Sequence, residues 1–327
     1  MTTPLVSILV PVYNDSAFLL QALVSIANQT WKEFEVIISD DCSTDDSRSI
    51  ATEFTRRDPR FRLVTNPANL GMTRNWNRAL HEAQGLYVAK LDSDDAFRPR
   101  FLEEMIGIME GDTKPVVVYC RALSCDEHLE PFASYLGEQG LIRARIDPLA
   151  THCRAGHEWF RLSFDDIQLW HSNAQLHRRE VLMQMGGWDE SWGCASDTDL
   201  ILRVLEHNEL ICHIPYAGVL YRHRAGSVSE QYRRSAWLRW ESCLIHLNSL
   251  SRYHQSDGRL GRTLRKAWWR YWRNWTDLRQ EGNAALSDLR VDARERLLQR
   301  AARTPAAPLS IVAEGRIRQW IWNRLPR

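Results

Sequence analysis

Nothing in this 327-residue sequence approaches the ~18 consecutive apolar residues that a membrane-spanning helix requires, so no spanning segment is expected. No basic stretch precedes the first apolar run, and Pro11 breaks that run early, so no secretory signal is read at the N-terminus. No cysteine sits in a Cys-x-x-Cys pair. The seven thiols, at 42, 120, 125, 153, 194, 212 and 243, are odd in number and scattered. That argues against zinc-ribbon and dithiol redox motifs and makes reduced thiols in a cytosolic compartment the simplest account. The loop after the first apolar run is Pro11-Val12-Tyr13-Asn14, without the glycines and lysine of a phosphate-cradling loop. No internal repeat or low-complexity tract is visible.

What is present is unevenly placed. The formal net charge is +1, yet residues 231–327 hold 20 Lys and Arg against 8 Asp and Glu, whereas residues 1–230 hold 22 against 33. Trp268, Trp269, Trp272 and Trp275 interleave with Arg265, Lys266, Arg270 and Arg273 at helical spacing. Such a stripe packs on a core, or lies with its basic face on an anionic membrane surface. The change of character sets a boundary: residues 1–229 as one domain, residues 230–327 as a helical, basic, Trp-rich region. No nucleic-acid partner is expected, because nothing in the acidic front part supports one.

In the front part, apolar runs alternate with segments of helical spacing. Leu5–Val12, Phe34–Ser39, Phe61–Thr65 and Tyr87–Leu91 read as strands. Ser16–Asn28, behind an Asp15/Ser16 cap, the segment ending at Arg57, and Met72–Ala83 read as helices. Four alternations predict a mainly parallel sheet with right-handed crossovers. Pro99–Met109 and Ser196–His207 read as further helices, and Val116–Cys120, Leu210–Pro215 and Gly218–His223 as further strands. Residues 122–170 show little pattern and are read as loops with some pocket role.

Carboxylates collect at the ends of these elements: Asp40 and Asp41, then Asp92, Asp94 and Asp95, then Asp197 and Asp199 at a helix start. In an open α/β sheet the ligand crevice lies beyond the carboxyl ends of the strands. Acids this close repel unless a cation neutralises them, and hard oxygen ligands suit Mg²⁺ or Mn²⁺, which also bind substrate phosphates.

Six stretches, in order, resemble the family 2 glycosyltransferases of the inverting, nucleotide-sugar-dependent type. They are Val6–Asn14, Ile38–Asp45, Asn69–Asn77, Leu91–Asp95, Gly186–Glu190 with Asp197–Leu200, and Tyr221–Ser229. The resemblance covers about residues 5–229. It implies a Rossmann-like α/β sheet flanked by helices, the A-type glycosyltransferase fold, with a C-terminal helical extension. It implies Pro11, Tyr13 and Asn14 beside the nucleotide base, with Tyr13 stacked on it. Asp41 would hydrogen-bond the base, Asp40 support that loop, Arg74 reach the nucleotide and Asp92 the ribose. Asp94 would ligate Mn²⁺ or Mg²⁺, with Asp95 a second ligand. Asp197 would be the general base, and Trp188, Asp189 and Asp199 would face the acceptor. Two positions depart from the pattern. Arg224 stands where the family often has His, which puts a metal role for His223 in doubt, and Ser196 stands where an acid often precedes the catalytic Asp.

The implied reaction is transfer of one sugar from a nucleotide-sugar, UDP-linked, to a hydroxyl of a saccharide or lipid-linked acceptor in cell-envelope or exopolysaccharide synthesis. The implied location is cytoplasmic, peripheral on the inner face of the membrane. The rival readings are a sugar nucleotidyltransferase and a non-catalytic nucleotide-sugar-binding or scaffold protein.

Overall fold

A computed structural model describes residues 4–136, 141–142, 145–164, 171–207, 209–227, 230, 237–257 and 267. The chain divides into two compact units, 1–232 and 233–327. The Trp/Arg stripe of 265–275 lies outside the described residues. In the second unit the described helix is Trp237–Asp257. No helix among the described residues is long and apolar enough to cross a membrane.

The first unit is built on one sheet. Strands β1 (Val6–Val12), β2 (Phe34–Asp40), β3 (Phe61–Thr65) and β4 (Tyr87–Lys90) come first in the chain. They lie side by side in the order β3-β2-β1-β4, all parallel. Every residue of β1 and β4 is buried, as continuous apolar strands covered on both faces should be. The chain steps outward from β1 to β2 and β3, then returns to place β4 on the other side of β1. That reversal is a topological switch point, where the loops leaving β1 and β4 part and a crevice opens.

The rest of the sheet is mixed. β5 (Ala96–Phe97), β6 (Val117–Cys125), β7 (Pro131–Leu136), β8 (His152–Ala155), β9 (Gln175–Arg178) and β10 (Leu210–Arg222) extend it. The path continues β4-β9-β6-β10-β5, with β7 on β6 and β8 on β10. β9 runs antiparallel to both β4 and β6, while β6 and β10 are parallel. The two strands expected at 210–223 are one, interrupted by register shifts between His213 and Val219. The patternless stretch 122–170 carries β7, β8 and a helix, Gly156–Ser163; the rest of β6 reaches into it as well. The expectation of seven reduced thiols is corrected at one pair. Cys153 and Cys212 are register partners across β8 and β10 and form a disulfide.

Helices α1 (Ser16–Ala27), α2 (Ser47–Arg57), α3 (Met72–Glu82) and α4 (Phe101–Met109) connect the strands. α1 buries Leu19, Ala22, Leu23 and Ile26 at helical spacing, in one apolar cluster with β1, β2 and α4. α3 also buries polar groups, Asn75 and Asn77. Later helices are α5 (Gly156–Ser163), α6 (Arg179–Gln184) and α7 (Ser196–Glu206); Trp237–Asp257 is α8.

Gly85 marks where α3 returns to the sheet. A methyl group there would lie 2.6 Å from the Ser7 amide nitrogen and 2.8 Å from the Val6 carbonyl carbon, both backbone of the central strand. Its own N–H donates to Ser7 Oγ, at 2.8 Å. Backbone cannot yield as a side chain can, so Gly85→Ala should destabilise the first unit by roughly 1–3 kcal/mol. The midpoint of its urea or thermal unfolding reads this, and an unchanged midpoint would refute the close approach.

Candidate functional site

The loops leaving β1, β2 and β4 meet at the switch point, and polar side chains set their shape. Asn14 adopts φ 51° and Cys42 φ 61°, left-handed conformations that non-glycine residues adopt uncommonly. Asn14 Oδ1 accepts from the Thr44 N–H at 2.8 Å, and the Asn14 and Asp15 N–H groups donate to Ser43 Oγ and Ser47 Oγ. The β1 and β2 loops are thus laced together. Asp40 holds the second loop, accepting from Arg48 Nε at 2.9 Å and the Ser43 N–H at 3.2 Å. Pro11 is buried in β1, whereas Tyr13, just past its end, is 50% exposed at the mouth of the crevice.

Asp41 is buried, and its carboxylate is committed to the chain itself. Oδ1 accepts from Asn66 Nδ2 at 2.9 Å and the Leu70 N–H at 2.8 Å, and Oδ2 from the Gly71 N–H at 2.9 Å. It shapes the 66–71 loop and so the start of α3. Arg74, on α3, pairs with Glu190 at 3.2 Å at an exposed position.

Beyond β4 the acids take different stations. Asp92 Oδ1 accepts from Lys90 Nζ at 2.5 Å. Lys90 is itself buried, with Asn173 Oδ1 at 3.0 Å and the Trp76 ring at 4.3 Å. Burial alone would raise the Asp92 carboxyl, but Lys90, Asn173 and His171 hold it below the ordinary carboxylate value. Asp94 Oδ2 accepts from Arg224 Nε at 2.8 Å, and Nη2 of the same guanidinium donates to Asp15 Oδ1 at 2.9 Å. Asp15 is the N-cap residue of α1, as expected, but its side chain makes no cap hydrogen bond; its other oxygen accepts from Ser93 Oγ at 2.6 Å.

Asp95, expected as a second metal ligand, is fully buried. Its oxygens accept from Asn173 Nδ2 and, at 2.8 Å, the Arg222 N–H. Burial, then Asp94 and Asp92, push its carboxyl well above the ordinary value. It therefore acts as an internal strut between β4, β10 and the 171–173 turn. Arg222 lies beside it, donating to the Asp94 and Glu127 carbonyls and to Gln21 Oε1.

Asp197 opens α7. It lines a small cavity with Lys90, Ser172, His177 and Trp188. Burial raises its carboxyl, Asp92 adds to the rise, and Lys90 and Ser172 oppose it. Asp92, Lys90 and Asp197 therefore share one electrostatic centre, though they come from β4, its loop and α7.

Of the three residues expected to face the acceptor, Trp188 and Asp199 are buried and Asp189 is half-buried. Trp188 is 5% exposed and packs edge-on against Trp76, 5.7 Å between centroids, with its N–H and carbonyl held by Asn77. Asp199 is buried and paired with Arg203, one turn on along α7, at 2.7 Å. Asp189 accepts from the Ser191 N–H at 3.0 Å and shapes a turn. His223 lies in a row of rings with Tyr221 at 4.8 Å and Phe132 at 5.5 Å, its Nε2 3.1 Å from Ser124 Oγ.

The sequence assigns no role to Lys90, Asn173, Ser172 and Arg222, and to Asp15 only that of a helix cap. Lys90 alone carried a signal: a charge inside an otherwise apolar buried strand needs a partner. A divalent ion fits the remaining chemistry. No cluster of three or more His, Cys, Asp or Glu able to hold a metal occurs among the described residues. Mg²⁺ and Mn²⁺ nevertheless bind through one or two carboxylates completed by water and substrate phosphates, and Asp94 and Asp92 each engage a cation through one oxygen.

Burial, reinforced by Asp94, raises the Asp15 carboxyl to about 6. An unfolded Asp titrates near ~3.9, so this group favours the folded state below about pH 4, and that advantage is lost as pH rises from about 4 to about 6. Asp15→Asn removes this loss. Its stability relative to the native protein should improve across that window, read from chemical unfolding at pH 4.5 and 7; a pH-independent difference would refute the assignment.

The family model for glycosyl transferase family 2 matches residues 7–167. A Bacillus subtilis protein named for teichuronic acid biosynthesis, the glycosyltransferase TuaG, is 40% identical over 106 residues, 32% of this chain and 42% of its own. The alignments with that protein and three other curated relatives span between about a fifth and under half of each relative's length. Among solved structures, Staphylococcus aureus TarS 1–349 in complex with UDP-GlcNAc has a TM-score of 0.67 at 17% identity, covering 94% of this chain and 83% of that one. The mannosyltransferase PcManGT from Pyrobaculum calidifontis, in complex with GDP-Man and Mn²⁺, has a TM-score of 0.51 at 15% identity, covering 92% and 87%. These likenesses show the A-type glycosyltransferase fold: a mixed sheet with helices on its faces. Over residues 7–167 this chain is similar to the family 2 glycosyltransferases.

Proposed function

We propose that this chain transfers a single sugar from a nucleotide-sugar, UDP-linked, to a hydroxyl of a saccharide or lipid-linked acceptor, with inversion, in the synthesis of a cell-envelope or extracellular polysaccharide. The observation that carries this reading is the electrostatic centre formed by Asp92, Lys90 and Asp197 at the switch-point crevice. Kinship with TuaG supports the polymer class, and the fold shared with TarS favours a UDP donor.

Asp197 takes the proton from the acceptor hydroxyl. A general base works best with a pKa drawn toward the operating pH, and burial moves Asp197 that way. The hydroxyl oxygen attacks the anomeric carbon from the face opposite the leaving nucleotide, through an oxocarbenium-like transition state, so the configuration inverts. Tyr13, half exposed at the crevice mouth, offers a face to the base. Asp92 approaches the ribose. Asp94, with Asp92 nearby, would hold a divalent ion, which when bound supplies charge stabilisation for the departing diphosphate.

Asp197→Asn should lower kcat by about 10²–10⁴-fold while leaving UDP affinity nearly unchanged; native-like turnover in this variant would remove Asp197 as the base. Chelation by EDTA should abolish transfer and added Mn²⁺ should restore it, measured as acceptor-dependent UDP release. Turnover that survives EDTA would assign the diphosphate charge to Arg224 or Lys90 instead.

A further inference from the structure

Two arginines of the segment after β10 flank one aromatic ring. The guanidinium of Arg222 lies 4.6 Å from the Phe18 centroid and that of Arg224 4.9 Å. Their partners differ in kind. The Arg222 side chain is buried and donates to two backbone carbonyls and the Gln21 amide oxygen, all neutral. It braces the loop. Arg224 is 24% exposed and bridges two carboxylates, Asp94 and Asp15.

That bridge occupies Asp94 Oδ2, an oxygen on the residue proposed to hold the divalent ion. An ion arriving alone meets a carboxylate already paired on one oxygen with a guanidinium, and to take both oxygens it must displace that cation, which then keeps only Asp15. A nucleoside diphosphate changes the balance. Its phosphate oxygens match the planar guanidinium fork better than a single carboxylate oxygen does. Arg224 then has a new partner just as Asp94 is needed elsewhere.

We propose that Arg224 is a positioning residue that exchanges Asp94 for the donor diphosphate, so that divalent cation and nucleotide bind as a mutually dependent pair. This deepens the reading of Asp94 given above and rests on it. Reciprocity is required: whatever factor the nucleotide adds to metal affinity, the metal adds to nucleotide affinity.

Calorimetric titrations of the full chain with Mn²⁺ alone, UDP alone, and each in the presence of the other test this, with Mn²⁺ electron paramagnetic resonance counting bound ion independently of activity. In the native protein UDP should raise Mn²⁺ affinity at least ~fivefold. In Arg224→Gln, Mn²⁺ alone should bind several-fold tighter, UDP alone should bind more weakly, and the coupling should fall toward one. Arg224→Lys, which keeps the charge but lacks the planar fork that matches a diphosphate, should move the same way by less, and it carries the test if the neutral variant does not fold. Variants that bind Mn²⁺ no tighter, with coupling unchanged, overturn the exchange while leaving the metal–nucleotide site standing. A native protein that binds neither Mn²⁺ nor UDP overturns both.

Discussion

Five carboxylates gathered at one sheet edge are the constraint that this site must satisfy. Asp15, Asp92, Asp94 and Asp95 are brought there because the parallel strands β1 and β4 deliver their loops to the same side and the switch point leaves a gap between them, and Asp197 reaches the same centre from the start of α7. Repulsion among them is relieved in two ways. Lys90 and Arg224 pair with Asp92, Asp94 and Asp15. Where burial outweighs the cations nearby, the acid keeps its proton to higher pH: Asp95, Asp197 and, despite Arg224, Asp15 are raised by burial and by neighbouring acids. Asp92 and Asp95, three positions apart, shift in opposite directions, chiefly because Lys90 pairs with the one while burial and the neighbouring acids act on the other. One has a lysine against it, the other an amide and a backbone N–H.

Behind the acids stands a layer of amides. Asn75 receives Ser39 Oγ and Asn66 Nδ2 on one side of its amide and donates to the Ser39 carbonyl with the other. Asn66 passes the chain of bonds to Asp41, and Asp41 fixes the backbone at Leu70 and Gly71. Asn77 grips Trp188, and Asn173 joins Lys90 to Asp95. Buried amides earn their place only when donors and acceptors are both satisfied, and such networks then permit one arrangement. The crevice walls are held by these bonds, so the β2 loop and the start of α3 move as one piece.

Elements with a strong local signal were legible in the sequence. β1 to β4 and α1 to α4 follow from apolar runs and helical spacing, which depend on neighbours in the chain. The long β10 was read as two strands because Pro215 and Gly218 break its pattern, whereas in the sheet β6 carries it across the irregularity by register shifts. The site was half legible. Asp92, Asp94 and Asp197 stood out because acids at element ends point into the crevice. Their tasks did not, since partners such as Asn173, Arg222 and Arg224 arrive from far along the chain. Asp95 and Asp199 look like their neighbours in sequence but face inward. A strand or helix turns successive residues to different sides, and spacing alone does not say which side is wet. Trp188 likewise reads as a sugar platform until Trp76 and Asn77 are seen to cover it.

The charge balance of the crevice bears on how a donor enters. Lys90 is committed to Asp92, Arg222 to carbonyls, and Arg224 to two carboxylates. A diphosphate that enters among Asp92, Asp94 and Asp197 therefore meets acids whose nearby cations are engaged. It must bring positive charge with it or draw a cation off a carboxylate, and each route leaves the other half-finished. An ion without diphosphate lacks the ligands to complete its shell, and a diphosphate without ion faces unrelieved repulsion from Asp94. Under the proposed exchange both would have to arrive for every charge to find a partner, with Asp94 holding the ion and Arg224 the diphosphate. The same arrangement keeps the empty crevice intact, because Arg224 holds Asp94 and Asp15 together until that exchange occurs.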